Sequence, residues 1–349
     1  MTRIIAIPED FRETLSARGL RPTDLVLYIN SACNLRCKHC YVGSSLLDAA
    51  TRYRAGEVNG FVNSFERLDR ITILGGEPLL HREIDSIVAN IDARGVGEFR
   101  ITTNLTSFGA FRYRTHRGRA LTLCVSLDGH HAPVHDHIRG EGNFARTVRN
   151  IETLVEHGFD IEITHTVTSV NLPHFERMVE LCERLGVRHL NLHCMSLHGN
   201  AIDNPELRIA PAEWVRFRES LAARSRPGGK NERKLAIRYP VLYVTPDEYE
   251  RLVRTGEYHH HAAGSYYGSG DRVILYADGK IYVSSEAFGT ESYIGFLSEG
   301  AFHYNRRNEN ELKVFRTGSQ RIDGMNPRMR GDDTYSSVLS VSFKRTAYA

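Results

Sequence analysis

Cysteine is scarce in this chain: there are six among 349 residues, and none follows Cys194. Three of them lie close together as Cys33, Cys37 and Cys40, and the other three are scattered. This distribution excludes the dense disulfide framework of a small secreted protein. It also excludes a thiolate-held metal group in the last part of the chain. The isolated Cys124, Cys182 and Cys194 fall in predicted strands and a helix, where cysteine serves as a small apolar side chain.

Long apolar runs and a strong net charge are also missing. No run approaches the roughly 18 apolar residues of a membrane-spanning helix, and residues 1–10 contain no apolar core of a signal peptide. The net charge is only +3, which gives no reason to expect nucleic acid or a membrane surface as a partner. We therefore expect a cytoplasmic protein whose thiols stay reduced.

Strand and helix patterns alternate from about residue 24 to residue 195. Strands are predicted at 24–30, 70–74, 98–103, 120–127, 160–167 and 187–195. Helices are predicted at 56–68, 81–94, 106–117, 143–157 and 172–185. Strand-then-helix units indicate a parallel α/β fold. Six strands are too few for a complete eight-fold barrel, so the predicted fold class is α/β with a partial (β/α)6 TIM-like barrel or an open sheet.

The regular alternation of strand and helix patterns ends after the barrel region. We predict an N-terminal segment at 1–22, the barrel at 23–210, a smaller α+β extension at 211–315 and a tail at 316–349. A glycine-rich stretch near 225–230 is expected to be a linker or exposed loop. Apolar residues flank Ala277-Asp278-Gly279, which predicts a β-hairpin in the extension.

Polar residues follow the predicted strands at the points where those strands end. They are the cysteine loop at 33–40, Gly75-Gly76-Glu77-Pro78, Thr103-Asn104 and Ser126-Leu127-Asp128. In parallel β/α folds the carboxyl ends of the strands meet at one face, and chemistry is placed there. The sequence therefore predicts that these four stretches share one site.

The cysteine loop by itself permits more than one metal chemistry. Three thiolates can hold three irons of a cubane cluster and leave the fourth iron open to a ligand. A C-x-x-C pair can also form half of a zinc site or a redox dithiol. Zinc usually takes four ligands in two pairs, and the chain has no second cysteine pair. His39 lies inside the loop, where we expect it to point away from the thiols.

Two motifs in this order resemble the radical SAM superfamily. They are Cys33-x-x-x-Cys37-x-x-Cys40 followed by Tyr41, and Gly75-Gly76-Glu77-Pro78 after the second strand. The resemblance covers roughly residues 22–200. It implies one [4Fe–4S] cluster and S-adenosylmethionine (SAM) as cofactors, with an external electron donor such as flavodoxin or ferredoxin. The reduced cluster would cleave SAM to a 5′-deoxyadenosyl radical, which takes a hydrogen atom from the substrate.

The resemblance also implies roles for individual residues. Gly75, Gly76 and Glu77 would meet the SAM ammonium, Tyr41 would lie beside the adenine, and Ser126 would lie near the ribose and carboxylate. Arg139 would pair with the SAM carboxylate, because its guanidinium donates two parallel hydrogen bonds; otherwise it is a surface arginine. Asn104 and Asp128 would face the same mouth, or cap helices.

The remaining candidates are histidines and residues of the extension. His165 and His193 lie in predicted strands, either as acid–base groups facing the lumen or as satisfied core residues; Asp128 is a third catalytic candidate. The extension resembles the SPASM/twitch type. However, His261 to Gly264 and Val283 to Ser285 stand where relatives carry cluster cysteines, so one cluster per chain is expected. His259 to His261 form either a replacement metal site or a solvated loop, and Asp278 and Glu286 are weaker candidates.

The predicted function is a radical SAM reaction in the biosynthesis of a specialised metabolite. A sugar, nucleoside or aminoglycoside-like substrate is expected, because the N-terminus is short for a leader-peptide domain and the auxiliary cysteines are absent. The alternative is a peptide maturase acting on a ribosomally made precursor. Two further hypotheses are a non-enzymatic zinc-binding or interaction module, and a barrel that binds SAM without turnover.

Overall fold

The fold is taken from a computed structural model. It describes residues 3–17, 20–44, 50–116, 120–196, 198–224, 235–240, 243–244, 272–282, 293–305, 336–337 and 344–348. The strands in chain order are β1 (Arg3–Ile4), β2 (Asp24–Tyr28), β3 (Thr51–Arg52), β4 (Arg70–Leu74), β5 (Glu98–Thr103), β6 (Leu121–Ser126), β7 (Asp160–Val167), β8 (His189–Cys194), β9 (Ala236–Pro240), β10 (Tyr243–Val244), β11 (Arg272–Leu275), β12 (Lys280–Tyr282), β13 (Gly295–Ser298), β14 (Ala301–Tyr304), β15 (Ser336–Ser337) and β16 (Lys344–Tyr348). The α-helices are α1 (Phe11–Ala17), α2 (Ala55–Asn63), α3 (Ile84–Arg94), α4 (Ala132–Arg139), α5 (Asn143–Glu156), α6 (Phe175–Arg184) and α7 (Pro211–Arg224).

One large sheet organises the described part of the chain. Its strand order is β14-β13-β12-β11-β2-β4-β5-β6-β7-β8-β9-β16. Every neighbouring pair from β11 across to β9 is parallel, and the outer pairs are antiparallel. Among the described strands no pairing joins β14 to β16, so the sheet is open. The predicted partial barrel is therefore present.

The two faces of the sheet carry different residues. Leu25 of β2, together with Ile71 and Ile73 of β4, is fully buried in the core that also contains residues of α2 and α3. Side chains alternate between faces along a strand, so Val26 and Tyr28 lie on the opposite face, which we call the lumen face. Helices cover one face, and the lumen face is left for the site.

The structure extends the parallel sheet beyond the six predicted strands. Strand β11 pairs in parallel with β2, and β9 pairs in parallel with β8. Both strands belong to the part of the chain that the sequence assigned to the extension. Strand β16, from the predicted tail, then pairs with β9. Strand pairing between distant segments has no local signal, which is why the sequence pattern did not predict it.

The helix predicted at 106–117 is wrong. In the described residues 104–116 the chain forms a 3₁₀ turn at Tyr113–Thr115 and is otherwise irregular. Leu105 and Gly109 have positive φ angles of 50° and 56°, which an α-helix does not permit. A Cβ on Gly109 would lie 2.2 Å from the Leu79 carbonyl oxygen, so this loop packs tightly on the turn after β4.

The predicted hairpin is confirmed as β11 and β12. The predicted linker at 225–230, His259 to His261, Val283 to Ser285 and Glu286 lie outside the described residues. In the described part of the chain, no helix is both long and apolar enough to cross a membrane.

Candidate functional site

The cysteine loop follows β2 at the carboxyl end of the sheet, as predicted. Its backbone is held from two sides. The Lys38 amide donates to the Ile138 carbonyl at 2.9 Å, at the end of α4. The Asn200 amide donates to the Cys40 carbonyl at 2.8 Å, and its side chain donates to the Cys37 carbonyl at 3.1 Å. The conformation of the loop is therefore set by segments far away in the sequence.

Two glycines let the segment after β8 approach this loop. Gly43 and Gly199 both have positive φ angles, of 79° and 56°. A Cβ on Gly199 would lie 2.5 Å from the Cys40 carbonyl oxygen, and a Cβ on Gly43 would lie 2.9 Å from Gly199 Cα. Larger residues would push the two segments apart, so this contact requires glycine on both sides.

The three thiols of the loop are close enough to affect one another. Burial, with a smaller contribution from the charge of Cys40, raises the pKa of Cys33 to about 12 and that of Cys37 to about 11. The Leu35 amide donates to Cys33 Sγ at 3.4 Å, and the Arg139 guanidinium, near Cys37, opposes the rise there. Thiols of this kind become thiolates when a metal group binds them.

The donor set suits a multi-iron cluster better than one ion. Among the described residues, no three histidine, cysteine or carboxylate side chains are arranged to hold a single metal ion. In a cubane cluster each thiolate binds its own iron, so the three sulfurs need not meet at one point. Cys33, Cys37 and Cys40 thus supply the three thiolates that a [4Fe–4S] cluster requires.

The Gly75-Gly76-Glu77-Pro78 loop packs on the residues that lead into the cysteine loop. The Gly76 amide donates to the Asn30 carbonyl at 2.8 Å, and the Glu77 amide donates to the Ala32 carbonyl at 2.7 Å. A Cβ on Gly75 would lie 2.1 Å from Asn30 Oδ1, and one on Gly76 would lie 2.4 Å from a neighbouring carbonyl oxygen. Glycine is required here because two backbone segments touch.

The Glu77 carboxylate is buried and fully engaged with the protein. Its Oε1 accepts from the Thr103 hydroxyl at 2.6 Å and the Leu79 amide at 3.0 Å, and its Oε2 accepts from the Asn104 amide at 2.7 Å. Burial raises the pKa of Glu77 to about 7, against the lowering effect of these hydrogen bonds. The side chain joins the ends of β4 and β5, and its contact with SAM stays a prediction.

Asn104 belongs to a polar network that the sequence did not reveal. Its Nδ2 donates to Asn34 Oδ1 at 3.0 Å and lies 4.0 Å from Cys33 Sγ. Asn34 Nδ2 donates to Thr106 Oγ1 at 2.8 Å, and the Thr106 hydroxyl donates to Asn104 Oδ1 at 2.8 Å. The position of Asn34 inside the cysteine motif is the one local sign of this network.

One buried acceptor at this site has no donor in the described residues. Asn30 is 3% exposed, its Nδ2 donates to the Glu77 carbonyl, and its Oδ1 accepts no hydrogen bond. A buried acceptor of this kind favours a ligand that brings a donor. The ammonium of SAM has that chemistry, so the surroundings of the Gly-Gly-Glu loop fit the cofactor.

Asp128 lies at the centre of a buried ionic cluster. Its Oδ2 accepts from His39 Nε2 at 2.6 Å and from Arg139 Nε, and its Oδ1 accepts from the Thr166 amide at 2.8 Å. The charges of Arg139 and His39 outweigh burial and hold the pKa of Asp128 well below its usual range. His39 is thus directed to Asp128, and the catalytic role of Asp128 stays a prediction.

Arg139 lies between this carboxylate and the cysteine loop. It ends α4 and is buried, and its Nη1 is 3.8 Å from Cys37 Sγ. The predicted surface alternative is therefore excluded by burial. Its contact with the SAM carboxylate is not tested by this geometry and stays a prediction.

Tyr41 joins an aromatic cluster on the lumen face. Its hydroxyl contacts the Tyr28 hydroxyl, and the Tyr28 ring stacks on Tyr276 with centroids 4.0 Å apart. Tyr276 follows β11, so the extension contributes to the surroundings of the cysteine loop. The predicted contact of Tyr41 with adenine stays a prediction.

The structure separates the two strand histidines. His165 is on the helix-facing side of β7, where Nδ1 contacts the Leu127 carbonyl at 2.9 Å and the ring lies near Phe175 of α6. Of the two alternatives for His165, the lumen-facing one is corrected to the core position, because Ile163 and Val167 on the same face belong to the core. His193 of β8 lies on the lumen face, opposite to the face that carries His165, and is exposed.

Ser126 ends β6 on the lumen face, in register with Thr164 of β7. Alternation places it on the same face as Cys124, while Leu123 and Val125 belong to the helix-facing core. This position near the carboxyl end of the sheet agrees with the predicted location, and its contact with SAM stays a prediction.

A row of opposite charges crosses the lumen face towards the amino ends of the strands, and we call it the ion ladder. Its members from β11 to β9 are Arg272, Asp24, Arg70, Glu98, Arg100, Glu162 and Arg238. Arg272 Nη2 is 2.6 Å from Asp24 Oδ2, and Arg70 Nε is 2.6 Å from Glu98 Oε2. The ladder lies at the opposite end of the strands from the cysteine loop, and the sequence analysis missed it because its members come from distant segments.

Comparison with known proteins supports the resemblance to the radical SAM superfamily. Residues 27–197 match the radical SAM superfamily. An AdoMet-dependent heme synthase of Oleidesulfovibrio alaskensis is 26% identical over 176 residues, which are 50% of this chain and 45% of the relative. The mycofactocin maturase MftC of Mycobacterium ulcerans is 29% identical over 188 residues, covering 53% and 50%. The chain spans about half the length of these curated relatives.

A solved structure shows the same fold. Streptococcus suis SuiB bound to the precursor peptide SuiA superposes with a TM-score of 0.63 at 15% identity. The match covers 87% of this chain and 67% of SuiB. At this identity the similarity shows a shared fold and no more.

Proposed function

Since this chain belongs to the radical SAM superfamily, we propose that it is an enzyme that reductively cleaves SAM. Cys33, Cys37 and Cys40 would hold one [4Fe–4S] cluster, and when bound the two cofactors would supply a 5′-deoxyadenosyl radical. The observation that carries the proposal is the contact between the cysteine loop and the Gly-Gly-Glu loop through residues 30–32. Both motifs are thereby fixed at one end of the sheet.

The chain's own residues would bind SAM around that contact. Asn30 Oδ1 and the backbone at Gly75 would accept from the ammonium. Ser126 and Arg139 would meet the ribose and carboxylate, and Tyr41 would lie beside the adenine. An external donor such as flavodoxin or ferredoxin would supply the electron that reduces the cluster.

A peptide is the substrate class that the comparisons support better. SuiB was solved bound to the precursor peptide SuiA, and the mycofactocin relative is named a maturase. The sequence alone favoured a small metabolite over a peptide, and the comparisons reverse this preference. We therefore propose a peptide as the substrate whose hydrogen atom is abstracted.

A small-molecule substrate is the second candidate. The heme synthase is similar over 50% of the chain and the maturase over 53%, and the name of the synthase refers to a non-peptide product. The absence of cysteine beyond Cys194 also separates this chain from an extension that holds thiolate-bound clusters. For this candidate we propose a sugar, nucleoside or aminoglycoside-like molecule as the substrate.

Anaerobic reconstitution with iron and sulfide tests the cluster. We expect a brown protein with about four irons per chain whose reduction in the presence of SAM yields 5′-deoxyadenosine. A colourless protein that holds stoichiometric zinc would overturn the proposal. A protein that assembles the cluster and binds SAM without cleaving it would support the non-turnover hypothesis instead.

Substrate class is tested by two parallel incubations of the reconstituted enzyme. One receives synthetic peptide pools, and the other receives sugars, nucleosides and aminoglycosides. The readout is 5′-deoxyadenosine formed above the substrate-free level, followed by the mass change of the substrate. Stimulation by peptide alone supports the maturase, whereas stimulation by the small molecules alone contradicts it.

A further inference from the structure

We propose that Arg139 donates a hydrogen bond to the cluster ligand Cys37 and thereby raises the reduction potential of the cluster. Its Nη1 is 3.8 Å from Cys37 Sγ in the structure. This role differs from binding the SAM carboxylate, because the hydrogen bond would affect the cluster whether or not SAM is present.

The guanidinium is held in a fixed direction. Its Nε donates to Asp128 Oδ2, and Asp128 is itself fixed by the Thr166 amide and by His39. Guanidinium is planar, so a contact at Nε also sets where Nη1 points. Asp128 is 0% exposed, and a buried carboxylate without its arginine would be strongly unfavourable. The pair therefore keeps one nitrogen directed at Cys37.

The backbone keeps the two partners together. Lys38, which follows Cys37, donates its amide to the Ile138 carbonyl at 2.9 Å. Asn143 Nδ2 donates to the Arg139 carbonyl at 3.1 Å and to the Gly140 carbonyl at 2.9 Å. The first bond joins the cysteine loop to the end of α4, and the two from Asn143 fix the turn that follows Arg139, so Arg139 and Cys37 cannot separate without breaking a backbone contact.

The sign of the effect follows from charge. A reduced cluster carries one more negative charge than an oxidised one, and hydrogen bonds to its sulfurs favour the reduced form. At Cys37 the attraction of the Arg139 charge exceeds the opposing effect of its partner Asp128. Arg139 should therefore make the cluster easier to reduce, and replacing it with a neutral residue should lower the potential.

The inference rests on the proposed function, since it requires the cluster on Cys33, Cys37 and Cys40. The test is an EPR-monitored redox titration of the reconstituted protein without SAM. It compares the wild type with Arg139→Gln, Arg139→Lys and the matched control Arg146→Gln, which replaces an exposed arginine on α5. Iron and sulfide contents, with the circular dichroism spectrum, show that each protein is folded and loaded.

Arg139→Gln is expected to lower the equilibrium constant for reduction at least tenfold, which is about 59 mV for one electron. Arg139→Lys keeps the charge but cannot reach Asp128 and Cys37 together, so a smaller shift in the same direction is expected. Arg146→Gln should match the wild type.

A potential in loaded Arg139→Gln equal to that of the wild type would overturn the inference and leave the proposed function standing. If that variant folds without holding a cluster, Arg139→Lys decides by the same criterion, with a wild-type potential again overturning it. A wild-type protein that assembles no cluster would instead overturn the proposed function itself.

Discussion

Individual residues in this protein are fixed by buried charge pairs near the cysteine loop. Asp128 is fully buried, and its carboxylate is shared between His39 and Arg139. Removing one member of a buried pair leaves an uncompensated charge, which typically costs about 3–5 kcal/mol. Asp128 and Arg139 therefore hold neighbouring groups in place, a role that the sequence motifs alone do not indicate.

Replacing Cys37 with Ala should abolish cluster assembly and SAM cleavage while the barrel stays folded. The thiol supplies one of three cluster ligands, and its loop is held mainly by backbone contacts that the substitution leaves in place. The measurements are iron content, the visible spectrum and 5′-deoxyadenosine after reduction. Cys182→Ala is the control, since Cys182 is buried in α6 away from the loop. A loaded, active Cys37→Ala protein would contradict the ligand assignment.

Glu77 predicts a pH dependence of stability. Its pKa in the folded protein is about 7, above the ordinary 4.5, so the folded state binds a proton that the unfolded state releases between these values. The stabilising contribution is complete below pH 4.5 and is lost as the pH rises through about 7. The total loss is about 3 kcal/mol.

The measurement is the free energy of unfolding of the cluster-free protein by denaturant between pH 4.5 and 8. Glu77→Gln cannot titrate, so its stability should change less over this range than that of the wild type. Parallel pH profiles for the two proteins would show that Glu77 does not carry the effect.

At the scale of elements, the segment after β8 determines the shape of the cysteine loop. Residues 198–204 approach the loop closely enough for Asn200 to bond two of its carbonyls, and Asn204 Nδ2 donates to the Lys38 carbonyl at 3.3 Å. A loop with its own sequence motif thus depends on a second segment that has no motif.

Gly199→Ala should lower both cluster content and stability. A Cβ there would lie 2.5 Å from the Cys40 carbonyl oxygen, and the positive φ is unfavourable for alanine. Gly158→Ala is the matched control, because Gly158 also has a positive φ, of 80°, but no atom within 4 Å of the added Cβ.

The control should lose about 1 kcal/mol from the backbone alone and keep its full iron content. Iron per chain after reconstitution and the free energy of unfolding distinguish the two variants. Equal iron content in both would mean that the contact with Gly199 is unnecessary for the cluster.

For the whole molecule, the ion ladder joins strands from both ends of the chain. Arg272 of β11 and Arg238 of β9 come from the C-terminal part and bond carboxylates of β2 and β7. Glu162 is 4% exposed and accepts from Arg100, Arg238 and Asn191. The extension is therefore tied to the barrel by charge as well as by backbone pairing.

Glu162→Gln should lower the free energy of unfolding by roughly 3 kcal/mol, because two arginines lose their shared carboxylate. Denaturant unfolding can be followed through Trp214, the chain's single tryptophan, which is buried in α7. Asp160→Asn on the same strand is the control. Asp160 is 40% exposed and lies 3.7 Å from Arg188, so its loss should cost less than about 1 kcal/mol. Similar values for both variants would contradict a stabilising ladder.

The cysteine motif, the Gly-Gly-Glu loop and the six barrel strands were all predictable, because each depends on local spacing and periodicity. The helix predicted at 106–117 failed because packing on Leu79 overrides a weak local pattern. For His165 the sequence analysis left the lumen and the core open, and the structure places it in the core, on the face of its strand that carries Ile163 and Val167. The ladder, Asn34 and residues 198–204 could not be predicted, since their partners are distant in sequence.

The sequence by itself determined the succession of the six barrel strands along the chain and the presence of a three-thiol loop at the carboxyl end of β2. Spacing along a chain is sufficient for that, because strand ends and motif positions are local properties. Only the tertiary structure decided which groups surround the thiols. It placed Arg139 at Cys37, directed His39 to Asp128 and brought Asn200 onto the loop. These contacts join separate segments, and folding alone brings such segments within hydrogen-bond distance.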